Sequence, residues 1–353
     1  MWNYLLKRLL VMVPTLWGIL TLTFLVTQFV PGGPVEHALS DIDSQTGRSG
    51  GEHGASTGGW TYSGRRGMDT QQVKQLGALY GFDKPPLQRY LTMLKSFLRF
   101  DLGDSYFRNQ SVWSLIKEKL PVSISLGVWT FILTYLVSVP LGVMKAVRAG
   151  SRFDFVTTVA VLAGHAVPGF VLGVLLIVLL RGGSFWDIFP LRGLTSSNWS
   201  ELSPLGKVTN YFWHVTLPAT AAVVSSFAIK TLLTKNTFLD EIRRQYVLTA
   251  RAKGLSERRI LWKHVFRNVL LPLITGSPGV FIASFFTGSL LIETLFSIDG
   301  MGLLSFESIN NRDYPVVLGT LYLFTLLGLL TKLAGDVGYV LADPRIRFDA
   351  QDA

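Results

Sequence analysis

The segment Tyr246-Val-Leu-Thr-Ala-Arg-Ala-Lys-Gly-Leu-Ser-Glu-Arg-Arg-Ile260 is basic, has the grammar of helix, glycine, helix, and lies between two apolar runs, about Phe212 to Leu233 and Val269 to Ile292. Runs of roughly 18 or more apolar residues are long enough to cross a bilayer as helices. The segment is therefore a polar loop between two spans. From Lys235 to Asn268, nine basic residues (Lys235, Arg243, Arg244, Arg251, Lys253, Arg258, Arg259, Lys263 and Arg267) stand against Asp240, Glu241 and Glu257, a net +6 out of the chain's +10.

Working outward, four further apolar runs appear: about Leu9 to Val30, Val122 to Met144, Phe155 to Leu180 and Val316 to Leu341. Six spans make an all-α, multi-pass membrane protein with both termini on one side. The first run follows Lys7-Arg8 like a signal peptide, but Pro31-Gly-Gly-Pro34 ends it where a small-residue cleavage site would stand. Hydrophobic residues make up 49% of the chain and charged residues only 16%, which fits that class. The basic residues flank apolar runs, the distribution that orients membrane helices rather than one that binds nucleic acid. There is no cysteine, so disulfides, thiolate metal sites and a cysteine nucleophile are excluded.

Lys7 and Arg8, then Lys145, Arg148 and Arg152, then the 235–268 loop form the basic set; Ser297 to Tyr314 carries Arg312 against Asp299, Glu307 and Asp313. The basic side is expected to be cytoplasmic. The chain then divides into an N-terminal end and first span (1–30), an external loop (31–121), a transmembrane domain (122–342) and a cytoplasmic tail (343–353). Within the external loop, 40–67 is rich in Gly and Ser and predicts a flexible insertion with little to bury. Asp69 caps a predicted short helix closed by Gly81. After Pro85-Pro86, the spacing of Leu87, Tyr90, Leu91, Leu94, Phe97 and Leu98 predicts an amphipathic helix suited to a lipid surface. A second short helix is expected from Val112 to Leu120, stopped by Pro121. A lid over span ends and a docking surface are both open readings of this loop.

Three stretches now carry a resemblance: Arg8-Leu-Leu-Val-Met-Val-Pro-Thr-Leu-Trp-Gly18; Tyr80-Gly-Phe-Asp-Lys-Pro-Pro-Leu-Gln-Arg-Tyr90 with Asp101-Leu-Gly-Asp-Ser105; and Thr249-Ala-Arg-Ala-Lys-Gly254. With Asn311-Arg-Asp-Tyr-Pro315, they resemble the permease subunits of dipeptide and oligopeptide ABC importers across nearly the whole chain. Phe189-Pro-Leu-Arg-Gly193, Lys235-Asn236 and Ile260-Leu-Trp-Lys-His-Val-Phe-Arg-Asn268 are most similar to the branch that imports oligopeptides and the peptide-nucleotide microcin C.

The resemblance implies the six-helix permease class of type I ABC importers. It further implies a second, related permease, two ATPase modules (separate or fused) that use ATP and Mg, a periplasmic peptide-binding protein, and a bacterial inner-membrane location. No cofactor would be bound by this chain. In the family, the ATPase modules engage a cytoplasmic loop with the pattern E-A-A-x-x-x-G. Here Leu248 and Thr249 replace its first two letters, Ala250 supplies the third and Gly254 the glycine, which puts any role of the motif's Glu in doubt. The residues expected to couple are Ala250, Arg251, Lys253, Gly254 and Glu257.

Elementary physics supports such a projection. A helix is expected from about Asp240 to Lys253, with Arg251 and Lys253 at its negative end and Gly254 free to take the left-handed conformation that stops it. Ser256 then caps a second helix with Glu257 in its first turn. A solvated loop that only sets topology is the bland reading of the same charges.

No G-x-x-x-x-G-K-[ST] phosphate loop, H-E-x-x-H helix or G-x-S-x-G elbow occurs, so the chain is not expected to hydrolyse ATP or act as an enzyme. The ionisable groups inside spans are His165, His214, Lys230, Glu293, Lys332 and Asp336. Glu293 is expected near the outer end of its span, Lys230 snorkelling inward, and Lys332 paired with Asp336 at i,i+4. Pro168 should kink the third span, with His165 as a core histidine at the kink; a substrate or proton site is the other reading. On the fifth span Ser277, Ser284, Gly288 and Leu291 share a face that either lines a passage or packs a neighbouring helix. A secondary transporter would need inverted repeats and intramembrane charge chains, and an intramembrane enzyme would need catalytic groupings; neither pattern stands out.

Overall fold

The computed structural model describes residues 2–29, 83–181, 185–190, 192–275 and 290–342. The Gly/Ser insertion at 40–67, the short helix expected from Asp69, the residues Ser277, Ser284 and Gly288, and the tail 343–353 lie outside them. The described elements are α1 (Trp2–Phe29), α2 (Pro86–Phe97), α3 (Val112–Val147), α4 (Arg152–Ala166), α5 (Gly169–Arg181), α6 (Pro204–Ile242), α7 (Gln245–Ala252), α8 (Glu257–Arg259), a π-helical stretch (Ile260–Val265), α9 (Phe266–Thr275), α10 (Leu290–Leu295), α11 (Met301–Asn310) and α12 (Tyr314–Ala342). Among the described residues the only β-pairing is an isolated bridge between Asp104 and Ser111.

Four of these helices contain stretches apolar and long enough to cross a membrane: Leu6–Phe29, Val112–Val147, Pro204–Ile242 and Tyr314–Val337. Taken as one span, Arg152–Ala166 and Gly169–Leu180 make a fifth, broken by a bend of 94°, a geometry that a re-entrant loop shares. Pro168 supplies no N–H to Gly164 and Val167 is extended (φ −86°, ψ 118°), so the kink expected there is a sharp turn. The remaining expected span, Val269 to Ile292, is described only at its two ends, by α9 and α10.

Two helix boundaries differ from expectation. The helix from Val112 does not stop at Pro121; α3 runs 36 residues through both Pro121 and Pro140. A proline inside a helix removes one backbone bond, a loss tolerated where neighbouring helices or side chains support the freed group. The helix expected from Asp240 to Lys253 is instead two, because α6 ends at Ile242 and Arg244 is extended (φ −66°, ψ 147°).

Contacts gather the chain into two compact units, one of Met1–Arg8, Lys119–Leu304 and Leu327–Ala353, the other of Leu9–Glu118 and Ser305–Leu326. In the second unit, α2 turns Tyr90, Leu94 and Phe97 inward and leaves Leu87, Leu91 and Leu98 exposed. Tyr90 hydrogen-bonds Thr21 at 2.6 Å and Arg89 donates to Gln28 at 2.7 Å, fixing α2 on α1. Phe97 packs on Tyr322 of α12, 5.1 Å between ring centres. The buried Asp313 accepts from Ser105 Oγ (2.5 Å) and Tyr106 N–H (3.1 Å), while Arg108 pairs with Glu307. The described part of the external-loop sequence thus packs on helices of its own unit.

Among its described residues the first unit holds two apolar clusters. One joins Leu126, Leu217, Ala221, Ile292, Phe296 and Ile298; the other is built around the basic loop. Glu293 is fully buried, with Oε2 accepting from Leu303 N–H at 2.8 Å and Oε1 from Ser123 Oγ at 3.2 Å; Ser123 Oγ in turn accepts from Met301 N–H at 2.8 Å. It therefore satisfies the open N-terminus of α11, where a carboxylate is favoured. A Cβ on Gly300 would stand 2.7 Å from the Glu293 carboxyl carbon, so only glycine fits against this cap. Asp336 lies 2.8 Å from Arg8, not in the expected i,i+4 pair with Lys332.

Candidate functional site: the basic loop

The loop begins where α6 ends. Arg244 redirects the chain into α7, which closes with a paired hydrogen-bond pattern: Leu255 N–H to Ala250 C=O (3.2 Å) and Gly254 N–H to Arg251 C=O (2.9 Å). These are the two bonds of the Schellman motif, which requires a left-handed residue between them. Gly254 supplies it at φ +75°. Ser256 has cap-like backbone angles (φ −65°, ψ 143°) but its side chain makes no cap bond, so the expected cap is present in backbone geometry alone. What holds the turn across Gly254 is Arg251, whose Nε lies 2.6 Å and Nη2 3.2 Å from the two carboxylate oxygens of Glu257. The guanidinium holds the Glu257 carboxyl below its ordinary range, and the carboxylate raises Arg251 in return.

Beneath the turn, Val247, Ala250, Ile260, Val265, Val269 and Leu273 pack with Val143 and Ala146 of α3 and Phe238 of α6. Ala250 is therefore not an outward contact; it belongs to the loop's own core. Tyr246 donates to Glu241 at 2.9 Å, and Asn268 donates to the same oxygen at 2.9 Å. Burial, then the adjacent Glu241 carboxylate, push the Tyr246 hydroxyl up to about 12, so it remains a donor at any physiological pH. The outer surface carries Lys253, Arg258 and Arg259 with two large apolar side chains, Leu248 at 59% and Trp262 at 55% exposure. Trp262 meets Phe266 edge-on at 5.1 Å. Of the residues expected to couple, Arg251, Lys253, Gly254 and Glu257 are exposed together and Ala250 supports them from below.

The foundation of the loop was not anticipated from sequence. Lys145 is fully buried, its Nζ bonded to Asp154 C=O (2.9 Å), Thr157 Oγ1 (2.9 Å) and Thr158 Oγ1 (2.6 Å), and 3.2 Å from the Asp154 carboxylate. Lys235 reaches both oxygens of the same carboxylate at 2.7 and 2.8 Å. Asp154 thus ties α3, α4 and α6 together a short distance before α6 gives way to the loop. Its signal in the sequence is a single acid among Lys145, Arg148, Arg152 and Lys235, cations that the positive-inside pattern accounts for without it. A Cβ on Gly142 would meet Thr231 C=O at 2.7 Å, so α3 and α6 make backbone-close contact beside this cluster.

Elsewhere in the first unit, His214 is buried with Nδ1 2.8 Å from Asn210 C=O, and Lys230 lies over the Tyr135 ring at 5.3 Å. His165, expected in a core, is exposed at the broken span, with Nδ1 2.7 Å from Ser225 C=O. Among the described residues no group of three or more His, Cys, Asp or Glu could hold a metal ion.

Long apolar helices, a sharply bent helix pair and a basic loop closed on its own apolar core define a helical membrane component. Residues 138–348 match the family described as "Binding-protein-dependent transport system inner membrane component", and the chain belongs to that family. It is 53% identical to the "Peptidoglycan transport system permease protein YejB" of Agrobacterium fabrum and 51% identical to the "Inner membrane ABC transporter permease protein YejB" of Escherichia coli O157:H7, over 99% of both chains in each case. It is 32% identical to the "Dipeptide transport system permease protein DppB" of Bacillus subtilis, over 98% of each. A solved structure of the MetNI methionine ABC transporter in inward-facing conformations shares the fold at TM-score 0.50 and 16% identity, covering 65% of this chain and 97% of that one. The protein is thus an inner-membrane, multi-pass permease subunit of the ABC importer (type I) fold.

Proposed function

We propose that this chain forms half of the translocation path of an ABC importer for oligopeptides or peptide conjugates, microcin C among them, and that its basic loop is the docking point for the ATPase modules. The observation that carries the coupling role is the outward display of Leu248, Trp262, Arg258 and Arg259 on a turn locked by Gly254 and by the Arg251–Glu257 pair. An apolar anchor rimmed by cations fits a protein partner with an apolar groove and acidic edge. Stiffness matters as much as contact, because a loop that yields under load transmits nothing.

A peptide substrate is supported by the names of the relatives, which concern dipeptides and peptidoglycan, the latter a peptide joined to sugar. On this reading a second related permease completes the path, a periplasmic binding protein delivers the substrate, and the partner ATPases consume ATP with Mg. Both termini and the loop are cytoplasmic. Two co-purified ATPase copies or one fused ATPase, together with a second permease, are expected after mild detergent extraction. Vesicles containing the complex and its binding protein should take up oligopeptides, muropeptides or microcin C only with ATP. Uptake by the lone chain, or ATP-driven uptake of an unrelated solute with none of these three, would overturn the proposal.

A further inference from the structure

The geometry points to the break in the third span, at His165 to Pro168, as a contact site for substrate in transit: we propose that the His165 imidazole and the freed backbone carbonyls beside it accept hydrogen bonds from the N–H groups and terminal ammonium of an extended peptide. The inference rests on the importer reading above and adds the place and chemistry of contact.

Three features combine here. First, α4 stops at Ala166 and α5 starts at Gly169 after a 94° bend. Pro168 has no N–H to offer Gly164 C=O, and the helix end leaves His165 and Ala166 C=O without intrahelical donors. Second, the His165 ring is oriented. A carbonyl oxygen only accepts, so the 2.7 Å contact with Ser225 C=O puts the proton on Nδ1 and leaves Nε2 as an acceptor in the neutral ring. Third, Gly169 is pressed onto α6, where a Cβ would stand 2.8 Å from Ser225 Oγ and 3.1 Å from Ala221 C=O; the bend is held by close packing.

His165, Ala166, Val167 and Pro168 are nevertheless all exposed on this chain. Non-helical backbone and an imidazole at membrane depth are not left facing lipid; they line a wet cavity or meet protein. The exposed groups are acceptors, which a peptide's N–H donors complement. Few and weak contacts suit a path that must release what it binds.

The absence of cysteine from the chain makes the test direct. In the assembled complex, His165→Cys should react with a charged, water-soluble thiol reagent, and transported peptide should slow that reaction. Val159→Cys is the control: six residues away it lies about 120° round the helix, and at 52% exposure it should react only with a lipid-soluble reagent. His165→Leu should raise the half-saturating peptide concentration for uptake about fivefold, the worth of one hydrogen bond, and His165→Gln, which keeps an acceptor, should restore it. If His165→Cys prevents assembly, Ala166→Cys at the same break takes its place in the labelling. Reaction no faster than at Val159→Cys, or reaction indifferent to saturating peptide, overturns the inference. Uptake by the unsubstituted complex is measured separately, so a working importer with an inert position 165 refutes this site and leaves the importer reading standing.

Discussion

Replacing Gly254 by valine isolates the stiffness of the basic loop. At φ +75° an L-residue carries a cost of roughly 1–2 kcal/mol, with β-branched side chains the least suited. A Cβ at this position would meet nothing within 4 Å, so the penalty is conformational and no steric clash confuses it. Spread over the local equilibrium between the closed turn and an opened one, that cost lowers the closed population ratio about 5- to 30-fold. The bonds from Gly254 N–H and Leu255 N–H, and the Arg251–Glu257 pair across the turn, would loosen together. The substituted chain should still insert and still bind its permease partner, because the loop's core residues Val247, Ile260 and Val265 are untouched. Reconstituted vesicles in which uptake and ATP hydrolysis are read side by side should show less substrate moved per ATP, or weaker retention of the ATPase. A graded series strengthens the test: Gly254→Asn, which tolerates the left-handed region, should lie near wild type, Gly254→Ala between, Gly254→Val lowest. Equal uptake per ATP across the series, with subunit stoichiometry intact, would refute the coupling assignment.

Asp154→Asn should lower the melting temperature of the purified chain in detergent markedly, because removing one partner of a buried ion pair typically costs about 3–5 kcal/mol and here leaves Lys145 buried beside Lys235; an unchanged melting temperature would contradict the cluster. Reporter fusions after Arg148, near Gly254 and at the C-terminus should be cytoplasmic, while those at 49–59 or near Asn311 should be external; a cytoplasmic signal at Asn311 would break the six-span topology. Deleting residues 43–63 should leave membrane insertion and ATPase association nearly unchanged, since a Gly/Ser-rich stretch has little apolar surface to bury; loss of the detergent-stable complex would show that it is structural.

Local chemistry made part of this legible in advance. Apolar length identified four spans, Pro168 the bend after α4, and Gly254 the left-handed turn, because each depends on residues adjacent in sequence. Pro121 misled for the same reason: its local tendency to end a helix is overridden in α3. The break at Arg243-Arg244 has no glycine or proline to announce it. The cluster of Lys145, Asp154 and Lys235 and the Glu293 cap each join residues far apart in sequence, so no window along the chain displays them. Ala250 was legible as part of the loop but not as inward-facing, since α7 is too short for its apolar periodicity to fix a face.

The inner part of α6 has a mechanical consequence. From Ala219 to Ile242 it contains neither glycine nor proline, an unbroken rod of 24 residues and about 36 Å. Ser225, whose carbonyl holds the His165 ring, lies near one end of that rod, and the basic loop hangs from the other. Pro218 is the nearest weak joint, and it lies beyond Ser225 as seen from the loop. A pull on the loop therefore reaches the broken span as the throw of a crank, with no hinge between handle and load.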